Sequence, residues 1–380
     1  MPDIFDVIIV GAGPAGSAAA FAAAKTGISV LLLEEHPKIG APIACAEGLG
    51  RSKIVDLLDI RQEWIDHEVS GAIVRSSQEE KFRIDYPGVG WVLNREIFDM
   101  ALAQKALDAG AVVKTSTKAI GIDNNKLIVN EKGKKKTYKF KFLIGADGIA
   151  SRVGRWLGID TRLGLDEIAV CAEYLIEDIK IEPQYATFLF SHDYAPGGYA
   201  WIFPKSSSSA NIGLGISPHV TRKRAKDLLD DWVRKDFPDG KIRRRIYGGV
   251  SAKILKKFSG KNFFLVGDAA RLTDPLSGAG ITNGIRSGMI AGRNVILRLS
   301  GKKDNYESEI KKEILNEIKF HLRVRDVYLK LTEEHYDEIF KIGRRIFQGR
   351  TIDDINVKHL VKEILFSSPR ILTMGFKLLF

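Results

Sequence analysis

The chain has 380 residues, 45% of them hydrophobic, which is enough for two or three domains with a sizeable core. Its two cysteines, Cys45 and Cys171, lie far apart, which excludes a disulfide framework and a cysteine-held metal cluster and suits a reducing cytoplasm. The net charge of +11 favours anionic partners, but no recognition motif accompanies it, so no nucleic-acid partner is expected.

The first element is a strand from Asp6 to Val10. It runs into Gly11-x-Gly13-x-x-Gly16, then a helix, then a second strand, Val30–Leu33, ending at Glu34. The three glycines act differently. Gly11 permits the turn, Gly13 lets backbone N–H groups approach a pyrophosphate, and Gly16 lets the helix pack closely. The helix N-terminus then faces the diphosphate with unsatisfied N–H groups and its positive dipole end. Glu34, 18 residues after Gly16, is placed to accept bonds from a ribose diol. Residues 7–33 are apolar enough to imitate a membrane span, yet Lys25, the glycines and the β-rich ends argue for a buried βαβ unit. The first strand begins almost at the N-terminus, so no secretory leader is expected.

Residues 41–50, with Cys45, Ala46, Glu47 and Gly48, form a long loop without period beside the nucleotide site. Strands are expected at 69–75 and 81–86, and a helix at 95–109 behind the cap Asn94. Strands at 111–115 and 117–122 lead through a lysine-rich turn, 131–136, to a buried strand at 140–148. Between 160 and 260 the pattern changes to alternating strands (169–175, 186–190, 199–203, 210–216) and a helix at 222–236. A further buried strand, 262–268, precedes a helix at 280–299, and from about 305 the chain reads as helical. The expected fold class is α/β: a Rossmann-like nucleotide-binding domain (1–68, 92–158 and 261–300), an inserted antiparallel β-sheet substrate domain (69–91 and 159–260), and a C-terminal helical region (301–380). Basic residues between Arg222 and Lys261, and again from Lys302, read as solvated surface.

Two more glycine motifs follow in order: Ile144-Gly-Ala-Asp-Gly-Ile-Ala-Ser-Arg152, and Leu265-Val-Gly-Asp-Ala-Ala-Arg271 with Pro275-Leu-Ser-Gly-Ala-Gly-Ile-Thr282. With the first, they resemble the FAD-dependent reductases and hydroxylases of the p-hydroxybenzoate hydroxylase fold. Pro196-Gly-Gly-Tyr-Ala-Trp-Ile-Phe-Pro204 fits the P-x-x-Y-x-W-x-F-P pattern of the geranylgeranyl reductases. The Cys45–Gly48 loop and the Asn94-Arg95, Phe98-Asp99 pattern are likewise similar to theirs. The resemblance covers residues 1 to about 300 and is nearest to the archaeal digeranylgeranylglycerophospholipid reductases. It implies FAD as cofactor, with contacts at Ala15, Glu34, Cys45, Ala46, Gly48, Arg95, Ala119, Asp268, Gly280 and Ile281 beside the three fingerprint glycines. Asp268 would hold the ribityl chain, and the helix starting at Ile281 would face the flavin's pyrimidine edge with its positive end.

The implied reaction is saturation of isolated C=C bonds in prenyl chains. Such a bond is unpolarised, so a proton must reach one carbon as hydride reaches the other. Tyr199, Trp201 and Phe203 alternate along a strand and so share a face, where their rings can wall an apolar channel and stabilise a cationic carbon. Cys45 is the candidate proton donor, because a thiol with an ordinary pKa of about 8.5 is protonated at neutral pH. His192 reads as structural. The expected partners are a prenylated (geranylgeranyl) glycerophospholipid and an electron donor, either a ferredoxin-like protein or an NAD(P)H-linked reductase. A cytoplasmic location is expected, with peripheral contact at the membrane face as an option: Ile371–Phe380 reads equally as an interfacial segment or as one packed onto the enzyme body. A flavin monooxygenase of the same fold, an electron-transfer flavoprotein dehydrogenase and a non-catalytic FAD or prenyl-lipid binder are the alternatives. Two cysteines cannot supply the iron–sulfur cluster of the second.

Overall fold

The structure is a computed structural model and describes residues 3–76, 81–352 and 356–375. The chain opens with β1 (Ile4–Val10), α1 (Pro14–Ala24), β2 (Val30–Leu33) and β3 (Gly48–Gly50). Next come β4 (Ile65–Arg75), β5 (Lys81–Leu93), α2 (Arg95–Asp108) and β6 (Val112–Lys114). A meander of β7 (Thr117–Asp123), β8 (Lys126–Glu131) and β9 (Lys134–Gly145) leads to α3 (Arg152–Trp156). The middle holds β10 (Ile168–Glu177), β11 (Ala186–Leu189), β12 (Ala200–Pro204), β13 (Ser209–Ile216), α4 (Ala225–Asp236) and β14 (Lys241–Ser251). After β15 (Ser259–Gly260) and β16 (Phe263–Leu265) comes α5 (Ile281–Leu299). The end is helical: α6 (Tyr306–Ile310), α7 (Asn316–Tyr328), α8 (Glu333–Phe347), α9 (Val357–Ser367) and α10 (Pro369–Gly375).

The chain divides into two compact units. One holds residues 1–43, 95–163 and 251–319; the other holds 44–94, 164–250 and 320–380. These boundaries shift by a few residues from the expected ones at 92–94, 159–163 and 251–260, and residues 301–319 join the first unit; two differences are larger. The segment expected as 1–68 divides after Ile43, because β3 pairs with β5 (Leu49 opposite Trp91) and the Leu93 N–H donates to the Glu47 carbonyl at 2.8 Å. The end of the chain is not a separate helical region either. Phe340 and Phe347 of α8 pack on Phe82 and Ile84 of β5, so residues 320–380 belong to the second unit.

In the first unit β1 lies between β2 and β9, parallel to both, with Val7 opposite Val30 and Phe142. β6 and β16 extend the parallel sheet on its two sides. Val7, Ile8, Ile9, Leu31 and Leu32 are wholly buried. A parallel strand covered on both faces reads as an unbroken apolar run, which is why this stretch imitates a membrane span. Among the described residues no helix is long and apolar enough to cross a membrane. The lysine-rich turn shrinks to Lys132-Gly133, since β9 begins at Lys134.

In the second unit the sheet order is β14-β10-β13-β12-β11-β4-β5-β3. The pairing is antiparallel at β10–β13, β13–β12, β12–β11 and β4–β5, but β11 runs parallel to β4. Those two strands come from separate stretches of chain, so no hairpin fixes their direction. One face of β10, β13 and β12 packs Tyr174, Ile202, Ile212 and Leu214 against Leu229 and Trp232 of α4. Strand alternation sends Glu173, Trp201, Phe203, Asn211 and Gly213 to the opposite face.

Candidate active site

The first unit builds a cradle at the end of β1. Gly11 has φ +102°, and a Cβ there would stand 2.3 Å from the Ala146 carbonyl oxygen; at Gly16 it would stand 1.8 Å from that of Gly11. Both glycines are therefore required by close approach. Gly13 is different: a Cβ there meets nothing within 4 Å. Gly13 is also the N-cap of α1, with no side-chain cap and no acidic residue in the first turn. Open space thus stands before unsatisfied N–H groups at a positive helix end, which is what a diphosphate needs. Glu34 follows β2 as expected. Its Oε2 accepts from the Ala12 N–H at 3.1 Å and its Oε1 from the His36 N–H at 3.0 Å, so the carboxylate borders the glycine turn.

Helix α5 lies along α1. A Cβ at Gly288 would be 2.1 Å from the Ala15 carbonyl oxygen, and one at Gly292 2.6 Å from that of Ala19. Gly284 comes close to Ala15 as well, with a would-be Cβ 3.5 Å from the Ala15 Cβ, so the first turns of the two helices adjoin. Gly280 caps α5 without a side-chain bond, and Ile281 is its first residue. Asp268 is exposed, accepts from Thr273 Oγ1, and lies beside Gly280, whose Cβ would be 3.3 Å from its Oδ1. Two uncapped helix ends and an exposed carboxylate therefore surround one region, and this set fits FAD.

Arg95 opens α2 and holds Asp99 through two bonds, at 2.8 and 2.7 Å. Gly40, with φ +81°, passes close enough that a Cβ would be 2.8 Å from the Arg95 carbonyl oxygen. Ala119 is buried on β7, two residues beyond Thr117, whose N–H donates to the Glu34 carbonyl at 2.8 Å. Asp147 of the second glycine motif accepts from Ser151 Oγ at 2.7 Å and Val153 N–H at 2.9 Å, and burial pushes its carboxyl up. It fixes the start of α3, and that motif's contribution to the cradle is the Ala146 backbone against Gly11.

Cys45, Ala46 and Gly48 belong to the second unit, where an ion cluster holds their loop. Cys45 Sγ accepts from the Glu47 N–H at 3.3 Å. Glu47 is 1% exposed and has φ 68°, a left-handed conformation that few side chains adopt. Its Oε2 accepts from Lys205 Nζ at 2.7 Å, Asn211 Nδ2 at 2.8 Å and Arg244 at 3.1 Å. Lys205 also donates to the Leu93 carbonyl at 2.7 Å, and Asn211 to that of Ala46 at 3.2 Å. Neither Lys205, Asn211 nor Arg244 stood out in the sequence, because each lies more than 150 residues from Glu47. Gly48 leaves room for the Phe203 ring, which a Cβ would approach to 2.9 Å.

The aromatic motif forms the expected row. Ring centroids of Tyr199 and Trp201 are 5.8 Å apart, and those of Trp201 and Phe203 6.2 Å. Phe188 and Phe190 of the neighbouring chain segment extend the row, at 5.8 and 5.9 Å from Tyr199. Trp201 is buried, and its indole N–H donates to Glu173 Oε2 at 2.9 Å. Burial, reinforced by the Glu47 charge, pushes the Glu173 carboxyl up to about 8 against the opposing pull of Trp201, Arg244 and Lys205. Beyond Phe190 opens a cavity of about 340 Å³, lined mainly by apolar groups such as Phe82, Val327, Phe340 and Ile364. His192 is structural: Nε2 lies 2.7 Å from the Leu331 carbonyl and its ring stacks on Tyr336. Ile371 is buried and lines the cavity, whereas residues 376–380 of the expected interfacial segment lie outside the described residues.

Residues 167–252, which run from β10 through β14, match the geranylgeranyl reductase catalytic domain, and residues 6–178 match the FAD dependent oxidoreductase family. A digeranylgeranylglycerophospholipid reductase of Methanosarcina acetivorans is 39% identical over 89% of this chain and 88% of its own. The chain belongs to the geranylgeranyl reductase family. A second member, the digeranylgeranylglycerophospholipid reductase of Methanocella arvoryzae, is 36% identical over 98% of both chains. The crystal structure of a geranylgeranyl bacteriochlorophyll reductase-like protein from Thermoplasma acidophilum superposes with a TM-score of 0.91 at 30% identity, covering 99% of both chains. Family membership brings FAD as cofactor and agrees with the open space at Gly13 and the uncapped helix end at Gly280.

Proposed function

We propose that this chain is an FAD-dependent reductase that saturates C=C bonds of geranylgeranyl chains in archaeal-type prenyl ether (phospho)lipids. The observation that carries the reading is the apolar cavity of about 340 Å³ reaching Phe190, which touches the aromatic row at Tyr199. A prenyl tail fits such a lining; a polar aromatic substrate of a hydroxylase does not.

Gly11, Gly13 and Gly16 with the first turn of α1 would hold the FAD diphosphate, and Glu34 the ribose. Asp268, Gly280 and Ile281 would hold the flavin half, with Ala15, Cys45, Ala46, Gly48, Arg95 and Ala119 as further contacts. When bound and reduced, FAD supplies hydride. The chain's own residues do the rest. Tyr199, Trp201 and Phe203 exclude water and offer π faces to the carbon that gains positive charge. The Cys45 thiol gives its proton to the other carbon, so the C=C bond takes up one hydride and one proton, and the thiolate left behind recovers its proton from water. No second strand-GxGxxG-helix exists in the sequence to bind a nicotinamide cofactor. The electron donor proposed is a ferredoxin-like acidic protein or a separate NAD(P)H-linked reductase. The basic surface would meet the anionic headgroups at the membrane face.

The test is anaerobic. The flavin is reduced, geranylgeranyl glycerophospholipid is added, and flavin reoxidation is followed beside the lipid mass. The expected result is reoxidation matched by mass gain. A flavin that stays reduced until O₂ enters would point to the monooxygenase chemistry of the same fold.

A further inference from the structure

Glu173 carries a buried bond that the reaction above does not use. It is 3% exposed, and its Oε2 accepts from the Trp201 indole. Its other oxygen, Oε1, has no hydrogen-bond partner among the described residues. A buried carboxyl with a bare oxygen is costly to keep, so its one bond calls for a functional explanation. Three adjacent strands make that bond possible. Glu173 on β10 stands opposite Gly213 on β13, which stands opposite Trp201 on β12. A Cβ on Gly213 would come within 2.5 Å of the indole, so the missing side chain lets the ring lie across β13 and reach the carboxyl beyond.

We propose that Glu173 is the positioning residue of Trp201: it fixes the indole on the aromatic face and sets how much electron density that face offers to a substrate carbon gaining positive charge. The second half of this statement rests on the reductase reading. The charged and titratable groups that act on Glu173 are Glu47 from the Cys45 loop, Arg244 from β14, Lys205 after β12, and Cys171 on its own strand. Burial keeps the carboxyl neutral up to about pH 8. Above that pH it is a carboxylate, its bond from the indole N–H is charge-assisted, and the ring becomes richer in electrons.

The test uses the full-length holoenzyme, with Glu173→Gln and Glu173→Leu. In ¹⁵N-tryptophan-labelled protein the Trp201 indole cross-peak is assigned by its loss in Trp201→Phe. The expected wild-type peak moves with a midpoint near pH 8, the Gln variant keeps the low-pH position throughout, and the Leu variant loses the bonded position. In anaerobic single turnovers at saturating lipid, the rate of wild type relative to the Gln variant rises about two- to five-fold across that midpoint. The Gln variant matches wild type at pH 7, and the Leu variant slows about 10-fold or more. A wild-type indole that does not titrate overturns the proposal, as does a Leu variant with an unmoved peak. Wild type that fails to reduce lipid would sink the reductase reading, while the indole titration still decides the Glu173–Trp201 coupling. Should the Leu variant not fold, wild type against Gln decides alone.

Discussion

Cys45 sits in a loop whose shape is fixed by its neighbour. Glu47 accepts the left-handed backbone because three donors hold its carboxylate. Cys45→Ala removes only a sulfur, so FAD should stay bound while lipid reduction falls about 100-fold, the lower range for a lost proton donor. Flavin absorbance after gel filtration and the anaerobic reoxidation rate check the two halves. Glu173 predicts a stability effect. Its carboxyl is raised to about 8 in the folded state from an ordinary 4.5, so between these pH values the folded protein holds a proton that the unfolded chain has released. Stability therefore falls as pH rises from about 4.5 to about 8. Glu173→Gln should melt higher than wild type at pH 8, and the gap should close towards pH 5, which thermal melts across pH will show. Cys45, Tyr199 and Trp201 stand out in the sequence as candidates because they lie in compact motifs. Glu173 and Arg244 do not: one sits in the expected strand 169–175, which carries no motif, and the other in a run of three arginines that reads as solvated surface. Their meaning comes from partners on other strands.

At the scale of elements, the cradle depends on how closely α1 and α5 lie. Gly288→Ala would place a Cβ against the Ala15 carbonyl, backbone that no rotamer can move aside. The helices must separate, at a cost of about 1–3 kcal/mol, and the two uncapped ends separate with them. Gly13→Ala is the contrasting case, since its Cβ enters open space and α1 keeps its packing. The expected outcome is a lowered melting temperature and poor flavin retention for Gly288→Ala. For Gly13→Ala the apo-protein melts normally but flavin retention is again poor. Melts of the apo-proteins with flavin-to-protein ratios distinguish the two. The β1–α1–β2 unit and the start of α5 were readable because glycine spacing and apolar periodicity are local signals. β3, with three residues, and the parallel β4–β11 pairing are set by non-local contacts, so no window of sequence contains them.

At the scale of the whole molecule, the chain builds its two units from interleaved segments, and its last helices complete the second unit. Helices α7 to α10, which carry no motif, thereby gain a definite place, since with β4 and β5 they wall the apolar cavity. A sequence reading could see amphipathic helices there but not the strand face they would cover. If the cavity takes the prenyl tail, its depth sets which chain lengths reach the aromatic row. Val327→Phe fills part of about 340 Å³ with apolar atoms. Filling an apolar void leaves stability equal or improved, so loss of fold does not confound the result. Geranylgeranyl lipid should then react about 10-fold or more slowly, since a few methylenes of lost pocket space are worth that much. A lipid with shorter prenyl chains should keep its rate. Anaerobic reoxidation with lipids of graded prenyl length measures this. An equal slowing at every length would place the tail outside the cavity and leave α7 to α9 a purely structural role.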